Sequence, residues 1–156
     1  MISRHDFARQ QSGMILIESL LAILIFSLGI LALVGLQAAA VKQSADAKYR
    51  TEAALLANEV IGQMWVSDRT TAVLQANFNG TNGTGGTAYS NWFARVSGGI
   101  LPGVVANSPT APTIAIDGQG LATVTLYWVA PNETNTPPRC SDGTAAHCYV
   151  AVAQIR

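Results

Sequence analysis

The chain has 156 residues, of which 49% are apolar and 12% charged, with a formal net charge of zero. That charged share is far below the ~25% of an ordinary soluble domain. No basic excess is present to hold a phosphate backbone, which argues against a nucleic-acid partner. The length allows one modest domain with a real core, plus whatever the N-terminus does.

The charge deficit is concentrated in one place. From Gly13 to Gln37, Glu18 is the one ionisable side chain. Met14 to Leu36 reads MILIESLLAILIFSLGILALVGL. As a helix rising about 1.5 Å per residue it is roughly 35 Å long, enough to cross ~30 Å of hydrocarbon. A domain this small could hardly cover a helix that is apolar on every face, so the run predicts a membrane segment. A secretory signal cut after Ala40 is the rival, because Arg4 and Arg9 precede the run and Ala38-Ala39-Ala40 offers small residues. Against it, the run exceeds the usual ~7–15 residue signal core and contains an acid. Lys42, Lys48 and Arg50 follow the run, so the positive-inside bias does not orient it. Glu18 reads in two ways: a protonated acid one turn inside the interface, or a carboxylate awaiting a positive partner. Nothing within the run supplies that partner, and a charge in hydrocarbon costs about 3 kcal/mol or more.

The string Gly13-Met14-Ile15-Leu16-Ile17-Glu18-Ser19-Leu20-Leu21 resembles the processing signal of type IV pilins and pseudopilins. In that family prepilin peptidase cuts after the glycine on the cytoplasmic side and methylates the new terminal amine. A glutamate five places into the mature chain then pairs with the terminal amine of a neighbouring subunit. The resemblance implies cleavage between Gly13 and Met14, N-methylation of Met14, and Glu18 as the subunit-pairing carboxylate. It also implies a leader over 1–13 held inside and a head held outside. Methylation keeps the amine positive, so it remains a counter-ion. Desolvation offsets much of such a pair's attraction, and the pair acts more as a register device than as a source of stability. Gly35 stands about where many major pilins have a proline, which points to a minor subunit. Gly35-Leu36-Gln37, Ala53 to Ala57 and Ser67-Asp68-Arg69 are similar to PilV-like minor pilins.

The helical pattern continues past the membrane edge. Ala53, Leu56, Ala57, Val60, Ile61 and Met64 form one stripe, with Lys48, Glu52 and Glu59 elsewhere around the axis. One helix is therefore predicted from Met14 to about Trp65, roughly 75–80 Å long. Its half over 14–36 is transmembrane, its half over 37–67 is amphipathic, and 68–156 forms the head. Residues 77–91 read as an exposed, flexible Gly/Thr/Asn loop. The Asn-x-Thr matches at Asn79, Asn82 and Asn132 arise readily by chance in such a composition. Ser90 or Asn91 is expected to cap a short helix bearing Trp92, Phe93 and Val96, ended by Gly98-Gly99. Leu121 to Ala130 is the clearest strand, with Val124, Leu126 and Trp128 on one side and Thr123, Thr125 and Tyr127 on the other. Cys148 to Ile155 is a second, and Ile114 to Ile116 a shorter third, turning at Asp117-Gly118. The fold expected is α+β and pilin-like: a long N-terminal helix packed on a small antiparallel sheet.

Two cysteines, Cys140 and Cys148, lie close together behind an export-type N-terminus, which suggests a disulfide. With His147 they could instead ligate a metal, but three ligands are few and His147 and Cys148 would point apart on a strand. No metal or other cofactor is expected. No nucleophile elbow, phosphate loop or metalloprotease motif is present, so no enzyme activity is expected either. Trp65, Trp92 and Trp128 read as core or helix-facing residues rather than a ligand groove.

The resemblance implies a minor pilin that promotes pilus initiation, and the C-terminal cysteine loop favours this over a minor pseudopilin of a type II secretion system. A single-pass membrane protein with a periplasmic ligand-binding head is a third reading. The implied partners are prepilin peptidase, other minor pilins, the major pilin, an inner-membrane assembly platform, and membrane lipid before assembly. The implied location is the bacterial inner membrane, head in the periplasm, and then the surface fibre.

Overall fold

The computed structural model describes residues 8–131, 133 and 139–156, with the backbone alone over 8–12. Arg4 of the expected leader and Asn132 of the third Asn-x-Thr match lie outside the described residues. The chain divides into two compact units, Met1–Ser44 and Ala45–Arg156.

Helix α1 runs from Ala8 to Val66. Nothing in it breaks the hydrogen-bond ladder, because the first proline of the chain is Pro102. Over its later turns the expected stripe is the buried one. Ala53, Ala57, Val60 and Met64 are inaccessible and Leu56 nearly so, while Ile61 is half-buried against them. Each large apolar side chain so buried contributes roughly 1.5–3 kcal/mol. Trp65, expected as a core or helix-facing residue, is 46% exposed, because it follows Met64 by one residue and so points about 100° off the stripe. Ser67 closes the helix, its Oγ donating to the Met64 carbonyl at 2.9 Å.

Helix α2, Thr71–Phe78, was not expected. Its Leu74 and Phe78 lie one turn apart and are both buried. Asn79 ends it and stitches it to the sheet: its Oδ1 accepts the Ile116 N–H at 2.8 Å, while Gln75 Nε2 donates to the Ile116 carbonyl at 2.9 Å.

The stretch expected to be a flexible loop begins with a tight hairpin, β1 Gly80–Thr81 and β2 Thr84–Gly85. Both turn residues, Asn82 and Gly83, have positive φ, at 54° and 81°. That is the type I′ turn for which Asn-Gly is the preferred pair. The hairpin is ordered because it sits against Tyr89. A Cβ on Gly80 would fall 2.3 Å from Tyr89 Cγ, so only glycine fits. The Tyr89 hydroxyl donates to the Pro112 carbonyl at 2.7 Å and accepts the Gly83 N–H at 3.2 Å.

Helix α3 spans Thr87–Arg95 with Gly86 as its cap, starting earlier than the Ser90 or Asn91 cap expected. The extra turn is the one that carries Tyr89. Trp92 and Val96 are inaccessible to solvent, and a wide turn over Val96–Ile100, with Gly99 at φ 98°, ends the element.

Three longer strands follow: β3 Thr113–Ile116, β4 Leu121–Trp128 and β5 His147–Gln154. The sheet is antiparallel throughout in the order β2-β1-β3-β4-β5. Register places Ile114, Val124 and Ala151 in one row across the three strands. Ala122, Val124, Leu126 and Trp128 face the core shared with the α1 stripe, α2 and α3. Val150 and Val152 stay on the outer face, 48% and 58% exposed. The architecture is thus α+β: a long N-terminal helix packed on a small five-stranded antiparallel sheet.

Candidate functional site

The candidate residues fall in two places, one in each unit. The first is the apolar run of α1. Its best 18-residue window has a mean hydropathy of 2.7 and none of it is buried. Every large apolar side chain from Met14 to Leu36 is at least 46% exposed. This is one helix long and apolar enough to cross a membrane. The two hydroxyls in the run satisfy themselves along the helix, Ser19 Oγ on the Ile15 carbonyl at 2.8 Å and Ser27 Oγ on that of Ile23 at 2.7 Å. Glu18 has no such recourse, because a carboxylate lacks a proton to donate. Gly13 and Met14 lie inside the helix, and Glu18 stands one turn beyond Met14.

The second place is the start of β5. Cys140 and Cys148 form a disulfide with their Cα atoms 5.9 Å apart. Both cysteines are therefore removed as metal ligands. Closing so short a loop contributes roughly 2–3 kcal/mol in the chain-entropy model. Inside the loop, Gly143 and Cys140 hydrogen-bond across a turn, and Asp142 Oδ1 accepts the Thr144 N–H at 2.9 Å.

Tyr127 joins this loop to the sheet, its hydroxyl donating to Asp142 Oδ2 at 2.6 Å. Burial first, and the carboxylate acceptor second, push the Tyr127 phenol up to about 12. The same hydrogen bond, followed by the Thr144 N–H, holds Asp142 below the usual carboxylate range. A phenol raised in the folded state contributes stability that is complete below its unfolded value near 10, and that contribution is lost as pH rises to about 12. The lowered carboxylate contributes above its unfolded value of ~3.9 and is lost as pH falls below it. Tyr127→Phe should therefore lower stability near neutral pH by about 1–3 kcal/mol and flatten the decline between about pH 10 and 12. Tyr89, also raised by burial, accounts for the slope that remains. Thermal midpoints across that range check this, and an unchanged alkaline slope in the variant would refute it.

One grouping was not legible beforehand. Asp46 of α1, Glu133 and His147 bring ligand-capable atoms within 4.8 Å of one another, and all three are half-buried. His147 Nε2 lies 2.6 Å from Glu133 Oε2. The imidazole stacks on Trp128 with ring centres 5.3 Å apart and planes 6° from parallel. Asp46 belongs to the α1 stripe, seven residues before Ala53, and a lone carboxylate on a core-facing stripe was the signal that could have found it. A shallow groove of about 550 Å³ runs along β1 and β3, lined by Asn79, Gly80, threonines and 114–116. It contains no ionisable side chain.

The long helix with its small antiparallel head is a pilin-like arrangement. Comparison of the chain with protein-family models, with curated proteins and with solved structures finds no match.

Proposed function

We propose that this chain is a minor pilin of a type IV pilus, which assembles non-covalently through α1 and promotes pilus initiation. The observation that carries the reading is the exposed apolar run, whose one acid, Glu18, has no partner among the described residues. A helix that ends its life in lipid has no use for that carboxylate. A helix that moves from lipid into a bundle of its own kind does. Lipid tails and packed leucines are about equally apolar, so the transfer gains little hydrophobic free energy. Alignment must then come from packing and from polar pairing, and Glu18 pairs with the terminal amine of a neighbouring subunit.

In this scheme prepilin peptidase removes residues 1–13 and methylates Met14. The helical backbone on both sides of Gly13 has to open for cleavage. Glycine makes that opening easier by about 1 kcal/mol relative to alanine. The head stands in the periplasm and later on the fibre surface, with other minor pilins, the major pilin and the assembly platform as partners.

Intact-mass analysis of the protein from its native host tests the reading. The expected species begins at N-methylated Met14. A chain that still begins at Met1, or one that begins at Val41, would rule the proposal out.

A further inference from the structure

We propose that the head binds one divalent transition-metal ion, of which zinc is the type, between Asp46, Glu133 and His147. This goes beyond the assembly role and does not depend on it. The three residues come from α1, from the connection between β4 and β5, and from the first position of β5. Positions so far apart in the chain meet only because the sheet packs on the helix. Their ligand-capable atoms lie within 4.8 Å of one another. One oxygen, Asp46 Oδ1, is shut off from solvent and meets no donor among the described residues. A carboxylate oxygen in that state is unfavourable, and a cation satisfies it.

A second observation comes from the ring beside the cluster. Trp128 is only 3% exposed, stacks on the His147 imidazole, and its indole N–H has no acceptor among the described residues. The stack fixes the imidazole plane, which is what supporting contacts do around metal-ligating histidines.

One imidazole nitrogen with two carboxylate oxygens suits zinc and its transition-metal neighbours better than calcium or magnesium, which take oxygen alone. Bound ligands at about 2.1 Å stand roughly 3.4 Å from one another. His147 and Glu133, now 2.6 Å apart, would open slightly, and the widest pair would close. Any proton on the ligating nitrogen of His147 has to leave as the ion enters, to solvent or to the other ring nitrogen. The ion would then tie the β4–β5 connection to both α1 and β5.

The test uses the full chain in detergent micelles with its disulfide intact. Zinc chloride is titrated against a chromogenic chelator, for wild type, Asp46→Asn and His147→Gln. Asp46→Asn keeps side-chain shape, His147→Gln keeps a neutral hydrogen-bonding group in place of the ring, and circular dichroism checks their folding. One zinc per chain is expected in the wild type, with affinity at least tenfold weaker in each variant. Absence of zinc binding by the wild type would overturn the proposal, as would wild-type affinity in either folded variant. Should a variant not fold, Asp46→Glu, which keeps the charge but shifts the oxygens, must also weaken zinc; unchanged affinity there overturns the site equally.

Discussion

Trp92→Ala is expected to lower the melting temperature of the head by about 10 °C or more. Trp92 is inaccessible to solvent, and its indole Nε1 donates to the Leu56 carbonyl of α1 at 3.0 Å. It also contacts Tyr89 at 6.1 Å between ring centres. It therefore fastens α3 to the helix stripe and backs the tyrosine that holds the β1–β2 hairpin. Removing a buried tryptophan costs ~3–5 kcal/mol, and a small domain has only ~5–15 kcal/mol in all. Trp92→Phe keeps most of the ring but loses the hydrogen bond, so a smaller loss, ~1–2 kcal/mol, should follow. Near-UV circular dichroism during thermal unfolding reads both. A Trp92→Ala melt within about 3 °C of wild type would contradict the packing role, since 1 kcal/mol moves a domain of this size by several degrees.

Glu18→Ala is expected to leave the protein in the membrane and keep it out of the fibre. Removing an acid from an apolar helix makes insertion easier by up to ~3 kcal/mol, so the amount in the membrane fraction should hold or rise. Recovery in sheared fibres should fall at least ~10-fold, which corresponds to only about 1.4 kcal/mol of lost pairing. Glu18→Asp, with its carboxylate drawn back by one methylene, should recover part of the loss. Equal recovery of Glu18→Ala and wild type in sheared fibres would remove the pairing role proposed for this residue.

Legibility in the sequence followed the range of the forces involved. The stripe from Ala53 to Met64 and the alternation of β4 were readable because one buried face imposes its period directly on the residues. Helix α2 was missed because eight residues show only one apolar repeat, Leu74 and Phe78, too short for a period to emerge. The hairpin was misread because composition was weighed over chemistry. Asn82-Gly83 is a strong turn signal, but it sits among so many glycines and threonines that it looks like background. Trp65 lies a single helical step off the α1 stripe. Asp46, Glu133 and His147 were invisible as a group because no local rule links positions that only tertiary packing brings together. The cysteine pairing was legible because only one partner existed for each thiol.

The hairpin under Tyr89 has a practical bearing on where this chain can be lengthened. Glycine-rich surface stretches normally invite inserted tags or labels, and Asn82-Gly83 is the obvious choice by composition. It is the wrong one. The turn occupies left-handed backbone, Gly83 N–H is held by Tyr89, and Gly80 leaves no room for a side chain. The later glycine Gly99 shares that left-handed backbone, at φ 98°, but Gly98 does not and has open space where a Cβ would stand. An epitope or fluorophore placed there should decorate the head without prying the hairpin from its aromatic seat.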